Sequence, residues 1–62
     1  MCEANAYIVE NGKEKMLLES VDVLRLEGDG VYLRSAFGEQ KTVSARLKEI
    51  RLMDHKIILE KS

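Results

Sequence analysis

Asn11-Gly12 stands between two runs of alternating apolar and polar residues, and it constrains the fold more than any other pair in the chain. Both residues accept positive φ, so the pair closes a two-residue hairpin, and a chain that opens on a hairpin is committed to a sheet. From Cys2 to Glu10, Cys2, Ala4, Ala6 and Ile8 share one face while Glu3, Asn5, Tyr7 and Val9 share the other, which predicts the first strand. Lys13 to Glu19 alternates less cleanly. Its apolar positions, continuing through Val21 and Leu24, also suit a helical stripe, but closeness to the turn favours a strand. Between Val21 and Glu27 the alternation changes phase, with Val21 and Val23 opposed to Leu24 and Leu26, so a bulge or a sharp bend is expected.

The rest of the chain repeats that grammar. Gly28-Asp29-Gly30 reverses it, and Val31, Leu33 and Phe37 then alternate against Tyr32 and Arg34 as far as Gly38-Glu39. A short strand follows around Lys41 to Ala45, and Ile50 and Leu52 alternate with Glu49 and Arg51. Asp54-His55 marks a turn before the last strand, Ile57-Ile58-Leu59. Turn signals at this spacing predict one all-β domain over residues 1–62, a small sandwich or barrel of six or seven antiparallel strands. The expected core is Ile8, Leu17, Val23, Leu24, Leu26, Val31, Leu33, Phe37, Val43, Ile50, Leu52, Ile57 and Leu59.

Size and charge narrow the function. A 62-residue domain buries only about 60% of the surface its unfolded chain exposes, so it gains from a staple or a second copy. One cysteine cannot close an internal disulfide, which leaves a metal or another chain, and points to a reducing, cytoplasmic compartment. No apolar run approaches the roughly 20 residues that span a bilayer, so neither export nor a membrane role is expected. A formal charge of −1 lacks the basic surplus of a phosphate-backbone binder and argues against nucleic acid. Catalytic constellations are missing too: the single histidine and cysteine stand 53 positions apart, with no H-x-x-x-H or C-x-x-C pair and no glycine-rich phosphate loop. The chain does not read as an enzyme.

Cys2 is the one unusual placement. The plain reading makes it a small apolar residue at the start of a strand. The sharper reading is metal ligation, because a thiolate and an adjacent main-chain nitrogen give two donors, and two chains about a two-fold axis give four. Four N and S donors in a plane suit Ni(II) or Cu(II), whereas zinc asks for a tetrahedron. The nitrogen is the α-amine of Cys2 if Met1 is removed, and a deprotonated amide if Met1 stays.

The opening Met1-Cys2, the run Val21 to Gly28, Val31-Tyr32-Leu33 leading to Phe37-Gly38-Glu39, and the closing Ile50-Arg51-Leu52 and Lys56 to Glu60 together resemble the CooT family of small nickel-binding proteins. The resemblance covers nearly the whole chain. It implies an SH3-like β-barrel that forms a homodimer, with one Ni(II) held at the dimer interface by Cys2 of each subunit. It also implies an accessory role in supplying nickel to carbon monoxide dehydrogenase, or else to another nickel enzyme.

Other residues weigh less. His55 reads as an exposed turn residue outside the metal site, and Met16 and Met53 as gap-fillers in the core. Tyr7 and Tyr32 support the alternative reading, a small RNA-binding or protein-interaction barrel, only weakly, since no basic groove accompanies them.

Overall fold

The structure, a computed structural model, describes residues 4–61. The strands are β1 (Ala4–Glu10), β2 (Lys13–Glu27), β3 (Gly30–Ser35), β4 (Gln40–Val43), β5 (Ala45–Arg51) and β6 (Lys56–Lys61). They form one sheet in the order β4-β3-β2-β1-β6-β5, and no helix occurs among the described residues. The sheet curls into a half-barrel, so that β3 approaches β5 and side chains from both halves meet in one core.

Asn11-Gly12 does what its sequence requires: Glu10 pairs with Lys13, and the two turn residues take φ of 55° and 76°. Beyond the turn, the runs expected as two strands are one 15-residue strand, β2, with a bend in its middle. Its first half pairs with β1 and its second half with β3, and the register slips where the partners change, between Ala4 and Tyr7 on one side and between Val21 and Val23 on the other. At the bend Ser20 takes a φ of 53°, its N–H donates to Asn5 Oδ1 at 3.0 Å, and its carbonyl accepts from Ala36 N at 2.8 Å. The side chain of Asn5 thus supplies the acceptor for a backbone group at the bulge. The count is therefore six strands.

One expectation is corrected. The strands are not all antiparallel, because β1 and β6 run parallel, from Asn5↔Lys56 to Val9↔Glu60. A parallel pair needs a long crossover, and β2 to β5 provide it by travelling around the half-barrel.

The expected core needs correction as well. Val31, Leu33, Ile57 and Leu59 are buried, and Ile8, Leu17, Leu24 and Val43 pack half-buried against them, while Val23 is also half-buried. Leu26, Phe37, Ile50 and Leu52 are exposed, and their places go to Ala6, Leu18, Val21 and Ala45. The bend in β2 explains Leu18 and Val21, because slipping the register by one residue exchanges the faces of a strand. Curvature explains the alanines: where strands close around so small an interior, a larger side chain has no room. Ile58 is buried between Ile57 and Leu59, so β6, with a neighbour on each side, is covered on both faces.

The β3–β4 connection is built on Ser35, the one buried polar residue among those described, at 2% exposure. Its Oγ accepts from Phe37 N and Glu39 N, both at 3.1 Å, and its N–H donates to Glu39 O at 2.8 Å. Gly38 takes the left-handed φ of 92° that the turn needs, and its N–H donates to Ser35 O at 3.0 Å.

Candidate metal centre

The start of β1 lies against the β5–β6 turn. Arg51 pairs with Lys56 across that turn, residues 52–55 form its tip, and His55 reverses the chain with a φ of 55° while its N–H donates to Leu52 O at 3.3 Å. The carbonyl of His55 then accepts from Asn5 N at 2.9 Å, which ties the turn to β1 where the parallel pairing begins. Ala4, Ile50, Arg51, Leu52, His55 and Lys56 line a hollow there. Its lining includes two large exposed apolar side chains, Ile50 at 48% and Leu52 at 79%, and Met53, next along the turn, is 92% exposed.

Charges around the hollow are mixed in sign. Arg51 donates to Glu49 at 2.9 Å and reaches Asp54 at 4.0 Å, and the hydrogen bond and charge of Glu49 raise the guanidinium pKa above its ordinary value. On the outer face, the Lys56 ammonium stands 4.9 Å from the centre of the Tyr7 ring and 3.3 Å from a Glu14 carboxylate oxygen.

Cys2, the metal ligand named from the sequence, lies outside the described residues; it precedes Ala4 by two positions. Among the described residues no three His, Cys, Asp or Glu side chains cluster as a metal site would require. His55 is an exposed turn residue, as the sequence reading has it, but it is not remote from the chain's beginning. The parallel β1–β6 pairing brings the only histidine to the strand that follows the only cysteine, and no local sequence signal announces such pairing. Met53 and Met16 do not fill the core; both are exposed, Met53 at the turn and Met16 opposite Tyr7. Tyr32 is half-buried with the Arg25 guanidinium 5.1 Å from its ring centre, and its hydroxyl is bonded to Gln40 at 3.0 Å.

Comparison with known proteins agrees with this architecture. A crystal structure from Carboxydothermus hydrogenoformans, assigned to CooT, superposes with a TM-score of 0.90 at 43% identity, covering 98% of both chains. An uncharacterized protein of Methanocaldococcus jannaschii is 33% identical over 60 residues, 97% of this chain and 98% of its own length. Residues 1–60 match the family described as CO dehydrogenase accessory protein CooT. A sheet of the same shape, matched nearly end to end, and a family match over all but the last two residues lead to one conclusion: this chain belongs to the CooT family of CO dehydrogenase accessory proteins.

Proposed function

We propose that the chain is a nickel-binding accessory protein that carries Ni(II) for the maturation of CO dehydrogenase. Two copies hold the metal, as cargo, between them through Cys2 of each. The carrying observation is the apolar hollow at the start of β1. Leu52 and Met53 are too exposed for a lone chain's economy of apolar surface, and a second copy covering them is the natural occupant. Covalent reach keeps Cys2 within about 7 Å of Ala4, so an isologous contact over this hollow brings two Cys2 residues into one neighbourhood.

The donor chemistry fits. In this reading the donors are Cys2 and its counterpart in a second copy, since Cys2 is the chain's single cysteine. A thiolate and a main-chain nitrogen from each of two copies make a four-donor N/S set of the kind that Ni(II) accepts in a plane. Ligand deprotonation makes loading pH-dependent, with protons released on binding. The curled six-stranded sheet is compatible with an SH3-like barrel completed in this way.

The RNA-binding alternative draws no support from the tyrosines, since both rings are half-buried and each carries a cation on one face. Nickel titration with metal analysis, comparing the wild type with Cys2→Ala, tests the proposal. Loss of the tight site is expected, and unchanged affinity in the variant removes it.

A further inference from the structure

Phe37 is the chain's only phenylalanine, and it is 82% exposed. It does not sit on a loose loop. The buried Ser35 holds the backbone on both sides of it, and Ala36 N donates to Ser20 O at 2.8 Å, so the loop is fastened to the bend of β2 as well. A large aromatic ring held out by a backbone that cannot fold it away is a preorganised anchor, because little conformational freedom is left to lose on binding. Beside the ring lies a hollow whose apolar wall is Met16, Leu17 and Leu18, flanked by Glu19 and Glu39.

Charge says what covers it. Six described carboxylates, Glu10, Glu14, Glu27, Glu49, Asp54 and Glu60, stand within 4.0 Å of a lysine or arginine. Neither Glu19 nor Glu39 takes part in an ion pair among the described residues, and Lys41, the cation at this hollow, donates to the backbone carbonyl of Leu17 at 3.0 Å. A second copy is the poorer occupant: Lys41 is already bonded to the Leu17 carbonyl, so an isologous contact sets the two carboxylates that have no ion-pair partner among the described residues against their own copies. A partner that offers an apolar cleft rimmed by Lys and Arg matches both features.

We infer that the Phe37 loop, with Met16 and the carboxylates of Glu19 and Glu39, is the surface by which this protein docks on a basic-rimmed apolar cleft of the enzyme it serves. The inference rests on the accessory role of the family and not on the nickel site. Phe37 fills the cleft and sets the dissociation rate, while the two carboxylates steer the encounter and set its salt dependence.

The test measures binding of nickel-free CO dehydrogenase from the same organism by interferometry, at low and at physiological salt. The wild type is compared with Phe37→Ala and with the double variant Glu19→Gln/Glu39→Gln. Phe37→Ala is expected to weaken binding at least about tenfold. The double variant should slow association and flatten the salt dependence, with nickel affinity and the number of subunits per assembly unchanged in both. Binding unaltered by Phe37→Ala, no binding of the wild type even at low salt, or a fall in the number of subunits per assembly on Phe37→Ala overturns the inference. Because nickel titration of Cys2→Ala is read separately, docking can fail with the metal site intact, and the reverse.

Discussion

The apolar regions at the β5–β6 turn and at the β3–β4 loop, both open among the described residues, differ in what surrounds them. At the β5–β6 turn, Leu52 and Met53 project beside Arg51, Asp54, His55 and Lys56, so the rim carries both signs of charge. At the β3–β4 loop, Phe37 projects beside Glu19 and Glu39, and the rim is acidic on balance, with Lys41 bonded to the Leu17 carbonyl. A surface with both signs can be brought against its own copy about a two-fold axis without stacking like charges, whereas a single-sign surface cannot. Under the proposed function, the first region suits self-association and the second a different protein, which would keep holding the cargo apart from finding the recipient.

The largest effect expected from breaking this contrast is at the turn. Under the dimer reading, Leu52→Asp sets like charges across the two-fold axis at a cost of several kcal/mol, enough to weaken self-association more than about a hundredfold. Light scattering should then report a monomer, and a dimer of undiminished affinity would remove the turn from the interface.

A smaller effect is expected at the loop. Ser35→Ala leaves the N–H groups of Phe37 and Glu39, in a part-buried turn, without their protein acceptor, and losing a hydrogen bond of this kind costs about 0.5–1.5 kcal/mol. Chemical denaturation should show that loss, and amide exchange should quicken at Phe37 and Glu39 while the amide of His55 keeps its protection. Equal quickening at both places would mean that the two regions are not independent.

The smallest expected effect lies away from both regions. A hydrogen bond from Lys61 holds the Glu10 carboxyl below its ordinary pKa, with the nearby ammonium charge of Lys61 adding to it. A depressed folded pKa contributes stability that is complete above the unfolded value and is lost as pH falls through the folded one, so the contribution fades only in the acid range. The Glu10 carboxyl is open to solvent, and screening keeps the contribution slight. An NMR titration should find the Glu10 midpoint depressed in the wild type and restored in Lys61→Gln, with no change in either variant region. Arg51 behaves oppositely: its raised pKa gives stability that is complete below the unfolded arginine value and is lost only as pH climbs through the higher folded one, beyond any physiological pH.

Much of the fold was legible because its signals are local. Asn11-Gly12 closes its hairpin, Gly28 supplies the positive φ of the next reversal, and the phase change after Val21 marks a real bend. Phe37 and Leu52 were misread for the same reason, since alternation tells which residues share a face but not whether the sheet extends far enough to cover that face. The family was legible from the Met-Cys start and the turn pattern together. Where Cys2 stands in space was not, and it lies outside the described residues.

The sequence by itself determined that this chain is all-β, where it turns, and that its chemistry has a single cysteine to work with, because turn residues and period-two patterning act over a few positions. Only the tertiary structure decided that β1 and β6 lie side by side in parallel, that the lone histidine's turn is bonded to the strand just beyond Cys2, and that Phe37 and Leu52 face outward. Those outcomes depend on how one curled sheet closes on itself, and closure is settled by contacts between residues some 50 positions apart, such as Asn5 and His55.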